Sequence, residues 1–503
     1  MSDSPLLPFS PILGRIREVI PADLTVHLVG GAVRDALLGR PLHDMDFVLP
    51  AAALSTARLV ANALGGAYYP LDEVRETGRV ILAEPERRRI YLDFSIQRGG
   101  DLIGDLRARD FTINAMALDL DQSAEVIDPL GGAADLLHRQ LRACLPSSFK
   151  DDPVRILRGI RFANAFQLHI APDTLKLMKQ SVPALVQVSA ERTRDELFRI
   201  LEGPQTAVSL RALEMLGVLP YILPEILPLR GLPQPPPHTL DAWEHTLDAL
   251  KRLAMILKVL SPEYQPDSAA SLTAGLIALR LGRFRQSINQ IMAAELSVGR
   301  SVRGLLFLSA IYHDVAKPQT RQLDEKNRFR FHDHERIGAE VIASRASELR
   351  LSNVEIEWLR LVVHHHMRPI FLANEGGEIS RRAIYRFFRD TGEAGVCVCI
   401  LSLADVWATY GAELNPQVWT RQVEVVRTLL EAWWERPQES VYPPAVVSGH
   451  DIIQEFGLKP GPDVGWLLES IREAQSVGLV NDRRQALDFA QELLDQEINH
   501  SSL

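Results

Sequence analysis

The chain has 503 residues, 46% of them hydrophobic and 24% charged, enough apolar content for about three domains with cores of their own. No run of about 18 apolar residues occurs, and the N-terminus lacks a basic stretch leading into an apolar one, so neither a transmembrane helix nor a signal peptide is expected. A net charge of −9 argues against a polyanion-coating protein and leaves any nucleic-acid contact to local clusters, while Cys144, Cys397 and Cys399 lack zinc spacing and fit unpaired thiols in a reducing cytoplasm.

In chain order, Leu13–Ile20 reads as a lead-in helix. Val26–Val29 reads as a short strand, and Gly30 and Gly31 follow where the backbone must turn sharply or approach a ligand. Ala32–Leu38 is helical in pattern, stopped by Gly39 and Pro41. Asp44–Leu49 reads as a second strand. Residues two apart in a strand share a face, so the Asp44 and Asp46 carboxylates converge, as suits a hard cation such as Mg²⁺. A bare Asp-x-Asp is as well explained by a solvated turn. A strand, a Gly-Gly turn and a helix before it add a phosphate cradle, and the combination describes a nucleoside triphosphate on a metal. Ala51–Leu64 is helical. Val80–Ala83 and Ile90–Ser95 form a hairpin around Glu84–Arg89, and Asp93 in its second strand is either a third acid or a plain strand residue. Asp105–Leu118 is dense in polar groups, including Asn114. Its Arg109 and Asp110 suit triphosphate and ribose, or else belong to a charged surface loop. Asp128–Gly132 is a turn closing the unit.

From Ala133 the pattern is helical. Asp151-Asp152-Pro153 is expected to open a helix carrying Arg155, Arg158 and Arg161. Asp152 and Arg155 would then share a face. A carboxylate accepts from the exocyclic amine of cytosine or adenine, and a guanidinium donates to the adjacent ring nitrogen. Uracil and guanine present the reverse polarity and leave groups unpaired. Such a pair selects C and A without a template, unless it is only an intrahelical salt bridge. The three arginines, with Arg192, Arg194 and Arg199 beyond, suit a phosphate-tracking face or a solvated one. Seven prolines in Pro220–Pro237 read as a linker.

Beyond it, histidines concentrate. His245 lies on a helix, His313-Asp314 ends another, His332 and His334 follow a charged turn, His364–His366 closes a further helix, and Asp405 lies in a later one. Such residues on separate helices can assemble a bundle-core site for Mn, Fe, Ni, Co or Zn.

These motifs resemble a known family. Gly30–Gly39 with Asp44-x-Asp46 is similar to the signature of class II tRNA nucleotidyltransferases and bacterial poly(A) polymerases, which carry a DNA polymerase β-like head. Arg109–Ala115, Asp128–Gly132, Asp151–Arg155 with Ile156–Ala163, and Glu191-Arg192 with Glu196 resemble the later motifs in family order. His245, His313, Asp314, His334, His365, His366 and Asp405 resemble the metal pattern of an HD phosphohydrolase domain, with the choice among His364, His365 and His366 left open. The resemblance implies an α+β fold with a mixed-sheet head at 23–137 after a lead-in at 1–22. A helical neck follows at 138–230, a Pro-rich linker at 231–237, an HD-type helical domain at 238–435 and a helical tail at 436–503. It implies Asp44, Asp46 and Asp93 as catalytic acids with Mg²⁺. Gly30, Gly31, Arg34, Arg109, Asp110, Asn114, Asp152, Arg155, Arg158 and Arg161 would bind nucleotide, and Arg192, Arg194 and Arg199 would bind RNA. The implied partners are CTP, ATP and the tRNA 3′ end, and the implied activity is addition of C and A there, with HD-domain phosphohydrolysis besides. One departure bears on specificity. Many full CCA-adding members have a flexible loop before the second motif, and members that add only two cytidines lack it. Here only Gly99–Gly104 separates Arg98 from Asp105, so CC addition with a separate A-adding enzyme is expected beside full CCA addition. The rival readings are a poly(A) polymerase, and a metal-dependent nucleotide phosphohydrolase with an RNA-binding N-terminal half.

Overall fold

The computed structural model describes residues 11–42, 44–83, 89–120, 126–264 and 271–500. The chain divides into two compact units, one of Met1–Gly203 with Ala212–Tyr221, the other of Pro204–Arg211 with Ile222–Leu503.

The first unit opens with helix α1 (Pro11–Val19) and builds β1 (His27–Val29), α2 (Gly31–Leu37), β2 (Asp44–Leu49), α3 (Ala53–Leu64), β3 (Ala67–Asp72), β4 (Thr77–Ala83) and β5 (Arg89–Ile96). After α4 (Leu102–Arg107), strands β6 (Ala117–Asp119) and β7 (Val126–Ile127) complete a seven-stranded sheet of order β3-β4-β5-β2-β1-β6-β7. β2 and β5 pair in parallel, and every other pair in this sheet is antiparallel. A parallel pair needs a crossover, which α3 with β3 and β4 supplies. Alternation sends Met45, Phe47, Leu49, Leu92 and Phe94 into one core, where the Phe47 and Phe94 rings stack at 4.8 Å. Asp44, Asp46 and Asp93 therefore leave on the opposite face.

The hairpin forms as expected, though most of its turn lies outside the described residues. Strand β3 was hidden by Pro70, which a sheet interior would reject but an edge tolerates. The expected helix start at Asp151-Asp152-Pro153 is corrected. A short α5 (Gly132–Leu137) and α6 (Ser148–Asp151) precede it, Asp152 is extended at φ −151°, and α7 begins only at Arg155 and runs to Ala165. Asp152 and Arg155 therefore face each other across a chain break in helicity, not along one helix. Helices α8 (Pro172–Ser181) and α9 (Ala190–Leu201) follow.

The second unit is nearly all helical. The proline-rich stretch is not a free spacer. Ile226, Leu229 and Leu232 are buried, and Gln234 accepts a 2.6 Å hydrogen bond from the Lys317 ammonium. Glu225 accepts from the Tyr312 hydroxyl at 2.8 Å and is ion-paired with Arg345. Burial, with Glu225 beside it, holds the Tyr312 phenol well above its usual range, so it stays a donor. Helix Ala394–Tyr410 belongs to a stretch apolar enough to cross a membrane, but nine-tenths of that stretch is buried in the protein. The tail has its own core around Ile452, Leu467, Ile471, Ala486 and Ala490.

Replacing Glu225 with Ala leaves the buried Tyr312 hydroxyl and Arg345 short of an acceptor. We expect a loss of about 2–3 kcal/mol of stability, read as a lower urea midpoint with an unchanged m-value.

Candidate active site and metal centre

The first cleft lies in the N-terminal unit, encloses about 770 Å³ and is lined by Asp44, Asp46, Asp93, Arg109, Asp152 and Arg155 among others. Its floor is the β2–β5 pair, where Asp46 stands in register with Asp93. Burial raises the Asp46 carboxyl above its usual range. The Arg109 guanidinium opposes this, and the Asp93 and Asp44 carboxylates add to it. The Asp46 side chain still reaches solvent from the cleft floor, so protein walls rather than full enclosure cause the shift. Crowded carboxylates of this kind suit a divalent cation, with Asp44 and Asp46 as its holders.

Gly30 caps α2 at φ +75°, and a Cβ there would come within 2.6 Å of the Arg109 guanidinium. Only glycine lets that side chain lie against the turn. Arg109 is also held by Asp105 at 2.9 Å. Arg34 is buried, donates to the Asn114 side-chain oxygen at 2.5 Å and stacks on the Phe166 ring. Gly31 and Arg34 also line the cleft. Burial alone would raise Asp110, but Arg158, the Asn114 amide and the Phe111 N–H outweigh it and hold the carboxyl low. Asp110 thus orients Asn114 and Arg158.

Asp152 accepts from Arg192 at 2.7 Å through Oδ2, while its Oδ1 is buried without a hydrogen-bond partner among the described residues. Arg155 donates to the carbonyls of Ala108 and Arg109, with Nε 3.9 Å from Asp152. Arg158, Arg161 and Arg199 converge on Glu196, which is buried. Arg192 and Arg199, read from sequence as an RNA face, therefore stand on the cleft wall. Arg194 pairs with Asp195 and is not among the cleft-lining residues.

Sequence reasoning missed Arg79, whose guanidinium grips Asp93 through two bonds of 2.8 and 2.7 Å. Pairing the strands across the expected turn would have set Phe94 opposite it; the observed register, Ala83 against Arg89, is one residue different and brings Arg79 to Asp93.

The second site lies in the helical unit. His245, His313 and Asp314 form one group, and Asp314, His334 and His366 another. Within each group the ligand atoms lie within 4.8 Å of one another, and all are buried. The Nε2 atoms of His245, His313, His334 and His366 have no hydrogen-bond partner among the described residues. The Nδ1 atoms of His313, His334 and His366 sit 2.7–2.8 Å from the carbonyls of Ala310, Phe331 and Val363. Nδ1–H donation there leaves each Nε2 lone pair aimed inward, as metal ligation requires. Asp405 closes the site, 3.0 Å from His245 Nε2. Burial disfavours a charged His313, yet Asp314 and Asp405 push it up to about 8. That surplus negative charge fits a cation. Of the open choice among His364, His365 and His366, the structure brings His366 into the group, whereas His365, the favoured candidate, is half-buried against the His364 ring and outside it. Burial, with His334 and His313 alongside, pushes His366 down to about 3, leaving a neutral imidazole. His332 is exposed. Lys317, three residues after Asp314 at the start of a short helix and 2.6 Å from it, escaped the sequence reading, and so did His238, whose ring lies 5.1 Å from that of His245. These groups border a cavity of about 580 Å³.

Comparison with known proteins follows the same division. Residues 26–142 match the poly A polymerase head domain, 167–229 a probable RNA- and SrmB-binding site of polymerase A, and 243–409 the HD domain. The A-adding tRNA nucleotidyltransferase of Deinococcus radiodurans is 32% identical over 92% of this chain and 94% of its own. The CC-adding enzyme of Geobacter sulfurreducens is 31% identical over 91% and 89%. A CCA-adding enzyme solved with CTP has the same fold, with TM-score 0.61 and 22% identity over 97% of this chain and 96% of that one. Matching relatives over nearly its whole length, with head, RNA-binding and HD regions in order, the chain belongs to the tRNA nucleotidyltransferase family.

Proposed function

We propose that this protein is a template-independent nucleotidyltransferase that adds two cytidines to the tRNA 3′ end and leaves the terminal A to a separate enzyme. The observation that carries nucleotide selection is the buried, unpartnered Asp152 Oδ1 in the cleft that also holds Asp44, Asp46 and Asp93. It offers an acceptor to the amine of cytosine or adenine. Uracil would set a carbonyl against it. Arg155 supplies the matching donor to the ring nitrogen. Gly30, Gly31, Arg34, Arg109, Arg158 and Arg161 surround the triphosphate, with Asp110 and Asn114 bracing them. Asp44 and Asp46 would hold Mg²⁺, which when bound would supply Lewis-acid activation of the 3′-hydroxyl and countercharge for pyrophosphate. Asp93 is the third acid. Arg194 and the neighbouring helices follow RNA phosphates and duplex shape rather than sequence.

The restriction to CC is supported by the segment before the second motif. Asp101 accepts from the Gly104 N–H at 2.6 Å, Asp105 accepts from the Arg98 N–H at 3.1 Å, and Gly99 packs onto Gly104. This is a short turn locked directly onto the start of α4, at the place where the resemblance puts a flexible loop in many full CCA-adding members. Relatives of both specificities match equally well, so addition of A alone is the second reading. The HD cluster holds a second divalent ion of the Mn, Fe, Co, Ni or Zn class, and we assign it hydrolysis of 2′,3′-cyclic or 3′-terminal phosphate. Three unpaired cysteines support a reducing, cytoplasmic setting.

Four outcomes test this reading. Sequencing products on tRNAs ending before CCA, after C and after CC, with CTP and ATP together, should show chains stopping at CC. Addition of A to the CC-ended tRNA would overturn the restriction, and long A tails on unrelated RNA would favour a poly(A) polymerase. An Asp44→Ala, Asp46→Ala variant should lose incorporation, whereas persistence would exclude the head as catalyst. Asp152→Ala should narrow the kcat/KM preference for CTP over UTP by about 30- to 150-fold, as expected for a lost polar complement worth about 2–3 kcal/mol. Metal analysis of His366→Ala should show loss of the HD ion, and His365→Ala should keep it.

A further inference from the structure

Asp46, Asp93 and Arg79 form a row across three adjacent strands. Asp46 pairs in register with Asp93 across β2 and β5, and Asp93 pairs in register with Arg79 across β5 and β4. Arg79 donates Nε to Oδ1 at 2.8 Å and Nη2 to Oδ2 at 2.7 Å, a planar fork on both carboxylate oxygens. Its guanidinium also lies 5.5 Å from the centre of the Tyr91 ring, two residues before Asp93 on the same strand face. Neither partner is deeply buried, with side chains 37% and 23% exposed. Such a pair on an ordinary surface contributes little to stability. Here the same pair stands beside two further carboxylates, and both Arg79 and Asp93 act electrostatically on Asp46.

Each carboxylate oxygen carries two acceptor directions. The fork takes one from each and leaves the other open. A carboxylate held this way cannot rotate, so its open directions are fixed relative to Asp46. The guanidinium also cancels one of three crowded negative charges, which lowers the pull of the row on a cation. Two opposite demands meet in one side chain: it fixes the third acid for chemistry, and it keeps that acid from trapping metal.

We infer that Arg79 is a positioning residue for the nucleotidyl-transfer site, orienting Asp93 toward Asp46 and moderating the affinity of the acidic row for its divalent cation. The inference rests on the reading of the N-terminal cleft as the transfer site. A lysine cannot replace it fully, because an ammonium restores the charge but not the fork.

The test uses the full chain and three variants, Arg79→Gln, Arg79→Lys and Asp44→Ala with Asp46→Ala. Mn²⁺ binding is measured by electron paramagnetic resonance. The signal of the double aspartate variant, which retains the helical-domain cluster, is subtracted to isolate the head. Arg79→Gln should bind head Mn²⁺ about three- to tenfold more tightly, since a nearby positive charge is gone, while kcat for CTP addition falls about tenfold or more, with KM for CTP within about twofold. Arg79→Lys should return Mn²⁺ affinity to near the starting value and recover only part of kcat. Unchanged Mn²⁺ affinity and kcat in Arg79→Gln would overturn the inference. So would loss of kcat with unchanged Mn²⁺ affinity and a lowered melting temperature, which would make the pair merely structural. If the unsubstituted chain incorporates no nucleotide, the reading of the cleft fails and takes the inference with it. An active parent beside an unaffected Arg79→Gln removes the inference alone.

Discussion

The in-register parallel pairing of β2 and β5 is the constraint on which the N-terminal unit depends. It places Asp46 beside Asp93 on one face and Phe47 beside Phe94 on the other. Like charges that close repel by about 1–4 kcal/mol in surroundings between water and protein interior. Burial of the two phenylalanines contributes about 1.5–3 kcal/mol each, and Met45, Leu49 and Leu92 add to it. The core face thus holds the charged face in an arrangement it would not adopt alone. A slip of one residue would bury the carboxylates and expose the rings, so the register is strongly fixed. The repulsion then finds its relief in cations: Arg79 on Asp93, Arg109 near Asp46, and the divalent ion that the remaining charge attracts.

The helical unit meets the same problem with helix ends. Three histidines place Nδ1 near the carbonyl three residues earlier, from His313 to Ala310, His334 to Phe331 and His366 to Val363. Two of the three cap helices at their C-termini, where carbonyls lack intrahelical partners. One contact satisfies the backbone and fixes the tautomer, so Nε2 faces the cluster. This also explains why three consecutive histidines supply only one member of the site. His366 has left the helix and is buried, whereas His365 remains in the last turn and packs on His364.

Features with a strong local period were legible in the sequence. Asp44–Leu49 is observed with those bounds, and the glycine turn, the α3 helix and the histidine-bearing helices lie where composition put them. The features that escaped depend on partners distant in sequence. Arg79 matters only because β4 lies against β5. Pro70 disguised an edge strand whose position no local pattern reveals. Asp152 looked like a helix cap, yet it precedes Pro153 and is extended, and its side chain is bound by Arg192, 40 residues on. The prolines at 220–237 suggested a spacer because proline disfavours regular structure, but Ile226, Leu229 and Glu225 tie that stretch into the helical core.

Asp152 and the Arg98–Asp105 turn together bear on why nucleotide addition would stop. On the reading proposed above, Asp152 distinguishes bases through a single oxygen, because Arg192 occupies the other. That geometry tolerates an amine from cytosine or adenine and does not by itself separate them. Discrimination between the two must come from the space left for the ring, and so from whether the walls can move once the primer has grown. The turn beside the cleft is closed at both ends by aspartates accepting from backbone N–H groups, and a side chain at Gly99 would meet Gly104 at 3.2 Å. A segment so tied has little conformational freedom to lend to a second, larger base. Rigidity at this turn, rather than any contact that recognises cytosine, is then what would confine the cleft to one nucleotide.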